Sequence, residues 1–248
     1  HRVFSSSIPG INKFESNFKV IQINNKEFTS LLKNHQNIVI VNDSINRIVS
    51  DCFAYNQLVS YLKYANDTTA FKYECNRLFK LYYDNEIQML KSKLSTSSNE
   101  VNSKYVNNRF NIDANITKEY TKTVDSNNVV LFTYNPSNDE VIKHIFITSF
   151  DYKESFDIDS IYSRTNKLLK NHLIGSSPNS YVALEDRYPL VMYNDFYRGL
   201  WRLQNGFMGG SILIKPILNK NKIIIITALV FDPSSTKRKY IKEFEAIL

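Results

Sequence analysis

Apolar and polar positions alternate along the 248 residues in two rhythms, one of period two and one of period 3.6, that switch several times. Phe18 to Ile23 reads as a first strand with weak alternation. Glu27 to Leu32 follows as a helix, with Phe28, Leu31 and Leu32 on one side, and Ile38 to Val41 and Leu58 to Tyr64 read as further strands. The strongest helical pattern runs from Asp67 to about Leu94: Phe71, Cys75, Leu78, Tyr82 and Met89 share a stripe, and Asp67 offers a carboxylate to the free N–H groups of the first turn. The polar stretch Ser95 to Asn108 reads as a fraying helix end or a surface connection. It divides the chain into an N-terminal α/β half, 1–108, and a strand-rich half, 109–248, unless both belong to one continuous domain.

Beyond it strands dominate: Val129 to Tyr134, Ile142 to Phe150, Tyr181 to Leu184, Leu190 to Phe196, Gly199 to Leu203, Ile212 to Leu218 and Ile223 to Phe231. A helix capped by Asp159 or Ser160 interrupts them, with Ile161, Thr165, Leu168, Leu169 and His172 as its inner stripe. Asn219-Lys220-Asn221 joins two apolar strands as a hairpin, and a final helix begins near Ser235, burying Tyr240 or Ile241, Phe244, Ile247 and Leu248. The expected class is α+β, mostly antiparallel sheet packed with a few helices, one of them long, near residues 67–94.

Composition narrows the function classes. With 43% hydrophobic and 13% aromatic residues the chain can bury a core, and only 6 Gly and 6 Pro exclude a linker-rich organisation. The net charge of +7 is scattered, lysine far outnumbers arginine, and no helix-turn-helix or zinc-finger spacing occurs, so nucleic acid is not an expected partner. The longest apolar run, Ile223 to Phe231, falls well short of the ~18–20 residues that span a bilayer. Cys52 and Cys75 lack zinc or redox spacing. A disulfide would need an oxidising compartment, and the position of Cys75 on a helical apolar face favours a buried thiol.

The segment Arg198-Gly199-Leu200-Trp201, then Met208-Gly209-Gly210, Val230-Phe231-Asp232-Pro233, Lys237-Arg238 and Glu245-Ala246-Ile247-Leu248, resembles an uncharacterised family of Bacteroidota lipoproteins, domain of unknown function family 4837. Upstream the likeness takes in Ile174-Gly175, Ser180-Tyr181, Arg164, Ile8-Pro9-Gly10, Phe18 and Ile38-Val39-Ile40-Val41-Asn42. The proline of Gly175-Ser176-Ser177-Pro178 falls later than in the family pattern. The resemblance implies a secreted, outer-membrane-anchored protein whose acylated cysteine and first strand precede His1, with membrane attachment only through that lipid. It carries no catalytic residue.

The chemistry visible in the residues is sparse. His1, His35, His144 and His172 show no metal-ligand spacing, and neither a nucleophile elbow nor a phosphate-binding glycine loop occurs, so no catalytic residue, metal or cofactor is expected. Carboxylate pairs such as Glu185 and Asp186 are the only support for an enzyme. Trp201, the single Trp, reads first as a core aromatic. With Arg198, Arg202, Gly209 and Gly210 it would alternatively form an interaction surface. Lys237, Arg238 and Lys239 stand in the first turn of the last helix, where acidic residues are normally preferred. With Ser235 and Thr236 they form a candidate anion site. The expected function is a non-enzymatic binding or scaffolding role in the cell envelope, with an envelope protein, a glycan or an anionic lipid as partner. The alternative is a hydrolase acting on an envelope polymer.

Overall fold

The computed structural model describes residues 2–11, 14–42, 45–64, 67–152, 157–219 and 221–248. They form two compact units: His1–Ser7 with Ser16–Met89, and Ile8–Glu15 with Leu90–Leu248.

The first unit holds a three-stranded sheet of β1 (Asn37–Asn42), β2 (Arg47–Ser50) and β3 (Leu58–Lys63), in the order β1-β3-β2. β1 runs parallel to β3, and β2 runs antiparallel to it. The helix expected over Glu27 to Leu32 is instead a 3-10 turn (Asn25–Glu27) followed by α1 (Ser30–Lys33), because Phe28 leaves helical geometry at ψ 74. The long helix α2 (Thr68–Thr96) forms as its stripe demands: Asp67 accepts the N–H groups of Thr69 and Ala70 at 2.8 and 3.2 Å, and Cys75, Leu78, Tyr82 and Tyr83 are buried. Phe18 to Ile23 does not form the expected strand; Phe18 spends its apolar surface on an edge-on contact with Phe79 of α2, ring centroids 5.4 Å apart. A buried glutamine, Gln57, ties the unit's loops by donating to the carbonyls of Lys33 and His35 at 2.5 and 2.6 Å. Cys52 is exposed and Cys75 buried, both as free thiols, and burial pushes the Cys75 thiol up.

In the second unit the stretch expected to fray contains a helix of its own, α3 (Glu100–Phe110). The Asn99 side chain accepts the Asn102 N–H at 3.2 Å at its start, and Asn111, left-handed at φ 52, ends it. Eight strands follow: β4 (Thr121–Ser126), β5 (Val129–Tyr134), β6 (Ile142–Asp151), β7 (Tyr181–Leu184), β8 (Val191–Tyr193), β9 (Phe196–Gln204), β10 (Gly209–Asn219) and β11 (Lys222–Phe231). α4 (Ile158–His172) lies between β6 and β7, and α5 (Arg238–Ile247) closes the chain. The sheet order is β4-β5-β6-β11-β10-β9-β7, with β8 also on β9, and every pairing is antiparallel. The chain is thus α+β, as its periodicity implies. Lys220, between Asn219 and Asn221 in the expected hairpin connection, lies outside the described residues.

Helical residues cover both faces of this sheet. One face packs Val130, Phe132, Ile145, Ile147, Ile224 and Ile226 with α3 and α5, and the other packs Leu131, Phe146, Ile223, Ile225 and Trp201 with α4. Ile223 to Ile226 can therefore be apolar without interruption, since every side chain on either face is buried. Two features of this unit depart from the sequence pattern for physical reasons. β4 was hidden by its polarity: as an edge strand it buries only part of Val124. The single strand expected over Leu190 to Phe196 breaks at Asn194, left-handed at φ 52, into β8 and the start of β9.

Candidate functional site

The residues expected to form an interaction surface lie mostly inside the second unit. Arg198 on β9 is fully buried; its guanidinium pairs with Glu245 of α5 and sits 4.0 Å from the ring centroid of Tyr193. Trp201 is also buried and donates its indole N–H to the Val230 carbonyl at 3.1 Å. Gly210 stands opposite Trp201 in the register, and a Cβ there would lie 2.0 Å from the Val230 oxygen and 3.0 Å from the indole nitrogen. Gly10, at φ 78, packs against Arg198 and Gly199, where a Cβ would come within 2.7 Å of the Gly199 nitrogen. Arg198, Trp201 and Gly210 are therefore fold determinants rather than surface, because a counter-charge, a carbonyl and a tight backbone approach each hold them in. Gly209 and Arg202 are half-buried.

The candidate anion site has a different occupant from the one sought. α5 begins at Arg238 with Lys237 as its cap, and the Glu15 carboxylate accepts the N–H of Lys237 through one oxygen and that of Arg238 through the other, each at 2.8 Å. Asp232 takes the neighbouring donors: the N–H and hydroxyl of Ser234 at 3.0 and 3.1 Å, the N–H of Ser235 at 2.9 Å and the Tyr240 hydroxyl at 2.5 Å. Burial alone would raise the Asp232 carboxyl, but the Tyr240, Ser235 and Ser234 bonds outweigh it and hold it below the usual carboxylate range. Lys239 lies 3.8 Å from the same carboxylate, the Lys237 ammonium donates to the Ser235 carbonyl, and Thr236 is exposed. Two carboxylates of the chain itself thus meet the donors that the sequence offered to an external anion.

Glu185 and Asp186, the pair favouring an enzyme, are both ion-paired. Arg187 donates to Glu185 at 2.9 and 2.8 Å, and this bond, against the opposing effect of burial, pulls the carboxyl down to about 2. Asp186 accepts the Tyr162 hydroxyl, and Arg202 lies 3.6 Å from each carboxylate. A general acid requires the opposite shift.

Two clusters escaped the sequence reading. Lys143, buried on β6, reaches Glu119 at 3.0 Å and Glu243 at 2.7 Å and sits 4.4 Å from the Tyr134 ring centroid. The signal was visible as a lysine inside the apolar strand Ile142 to Phe150. The adjacent Tyr120 is buried, and that burial, together with Glu243 and Glu119, pushes its hydroxyl well above the usual range. In the second cluster Thr133 hydrogen-bonds His144 Nδ1 at 3.0 Å and the Thr123 hydroxyl at 3.0 Å. Burial pushes His144 down to about 4, so the imidazole is neutral near pH 7.

The end of the sheet where β9 turns into β10 exposes apolar side chains. Phe207 is fully exposed, and Ile174 is 74% exposed. In their loops Asn205 and Asn179 are left-handed at φ 54 and 57, Asn205 Nδ2 donates to the Asn179 carbonyl at 3.2 Å, and Gly175 and Gly206 both approach Leu203. Among the described residues no group of three or more His, Cys, Asp or Glu is placed to hold a metal, and no helix is long and apolar enough to cross a membrane.

An antiparallel sheet covered by helices on both faces, with a buried arginine–glutamate pair between β9 and α5, defines an α+β domain. The chain belongs to the family described as Domain of unknown function (DUF4837), whose model matches residues 98–248. Residues 1–95 match a second model, Domain of unknown function (DUF8532). No curated protein matches the chain.

Proposed function

We propose that the protein is a non-enzymatic lipoprotein of a Bacteroidota cell envelope that binds or scaffolds another envelope component. The exposure of Phe207 and Ile174 carries the binding part of this reading. Phe207 is fully exposed on the β9–β10 loop and Ile174 is 74% exposed at the same end of the sheet, apolar surface that a partner would cover. Arg198, Trp201, Gly10 and Gly210 serve the framework that holds this loop in place. The envelope location rests on the family resemblance.

Photo-crosslinking in intact cells tests it. The full-length precursor, with a photoreactive residue at position 207, should be labelled by a metabolic acyl probe, fractionate with the outer membrane and give one discrete adduct. The same residue at Leu218, which is 65% exposed, should give none. Diffuse labelling at both positions, or a soluble unacylated product, overturns the reading. The rival, a hydrolase of an envelope polymer, is favoured by the Thr133–His144 contact, although an imidazole pushed down to about 4 is a weak general base. Soluble fragments released from purified envelope polymer by the wild type but not by Thr133→Val would establish the rival.

A further inference from the structure

At the β4–β5 edge an open depression of about 320 Å³, with polar and apolar surface in nearly equal parts, is lined in part by Glu119, Thr121, Thr123, Thr133, Tyr134 and Asn135. This is the opposite edge of the sheet from β9 and β7, so the depression is independent of the Phe207 loop. Its walls are set by the fold. The register of β4 slips between Lys122 and Val124, leaving Thr123 as an extra residue opposite β5. Val124 packs into the α4 side of the core, while the Thr123 hydroxyl lies 3.0 Å from that of Thr133, which is itself held at 3.0 Å by His144. Glu119 is held through Oε1 by the Lys143 ammonium at 3.0 Å, and its Oε2 makes no hydrogen bond among the described residues.

We propose that this depression is a binding subsite for a neutral sugar residue. The threonine hydroxyls, Asn135 and the Glu119 carboxylate do not suit a wholly apolar ligand, and Glu119 opposes an anion. A cation is disfavoured by Lys143 beside that carboxylate. A sugar matches these parts: adjacent hydroxyls donate to the Glu119 carboxylate oxygen, and further hydroxyls exchange bonds with Thr121, Thr123 and Asn135. The volume lies at the lower end of the roughly 300–1,000 Å³ of small-ligand sites, the range of one sugar ring rather than a long chain.

The test is an NMR titration of the intact chain with N-acetylglucosamine, methyl glucoside and, as a cationic control, tetramethylammonium. Saturable shifts from either sugar, confined to residues 119–136, are expected. Glu119→Gln and Thr123→Val should weaken binding by about tenfold, the effect of one lost polar contact worth ~1.4 kcal/mol. Thr121→Val removes an exposed hydroxyl outside the fold's hydrogen bonds, so its expected weakening keeps the test decisive if the other variants fold poorly. Absence of shifts with both sugars at saturating concentration overturns the proposal. So do shifts that survive all three substitutions, or tighter binding of tetramethylammonium than of either sugar.

Discussion

Glu15 and Arg238 are 223 positions apart, yet the Glu15 carboxylate accepts the Arg238 N–H at 2.8 Å at the start of the last helix. The same carboxylate takes the Lys237 N–H, so one acidic side chain satisfies two of the helix's unpaired donors and supplies the negative charge that the basic turn itself lacks. Glu15→Ala should therefore lower stability by about 1–2 kcal/mol, the usual cost of a lost cap plus its dipole interaction. Hydrogen exchange at Lys237 and Arg238 should quicken more than at the centre of β11. An unchanged denaturation midpoint would mean that solvent replaces Glu15 without loss.

Arg198 and Glu245 form the buried ion pair between β9 and α5. Breaking it from one side strands a charge in the core: Glu245→Met should cost about 3–5 kcal/mol, whereas replacing both residues by Met should recover much of that loss. Urea midpoints of Arg198→Met, Glu245→Met and the variant carrying both read this directly. Additive losses would show that the pair is not energetically coupled.

Periodicity made the covered elements legible. α2, β5, β7 and β11 alternate or run apolar because their burial is regular, and Asp67 marks the helix start by its own chemistry. β4 and α3 were lost because both are largely polar: one is an edge strand, and the other buries little beyond Val106 and Phe110. The site was less legible than the fold. Trp201 reads first as a core aromatic and is one, but nothing near Arg198 in the sequence shows that it is buried until α5 brings Glu245 to it, and no local pattern relates Glu15 to Lys237 or Glu119 to Lys143. Such pairings arise only when distant segments meet, while the sequence window that suggests a helix terminus or a basic turn contains neither partner.

Leu78 tests the small core of the first unit, where it packs with Leu62 and Cys75 against Val39 and Phe71. Leu78→Ala should cost about 2–3 kcal/mol, the lower part of the range for buried leucines, since a small cluster can partly collapse around the gap. Urea denaturation followed by the NMR signals of β1–β3 residues should show the loss. A midpoint equal to wild type would place the inner face of α2 elsewhere.

His144 gives the last prediction, because it couples a titration in the mildly acidic range to the fold. Burial lowers its value from 6.5 to about 4, so the unfolded chain binds a proton more readily than the native one throughout that interval. The neutral imidazole's contribution is complete above pH 6.5 and is lost as pH falls toward 4; over that window stability should drop by something on the order of 2–3 kcal/mol. Carboxylates with depressed values, such as Glu185 at about 2, lose their contribution later, as pH falls from about 4.5 toward 2, so the histidine's part separates from theirs. His144→Asn keeps a hydrogen-bonding partner for Thr133 but removes the titrating group. The variant should be less stable than wild type at pH 7 and show a flatter profile between pH 6.5 and 4.5. Urea unfolding across that range checks it, and parallel wild-type and variant profiles would show that His144 is solvated enough to protonate in the native state.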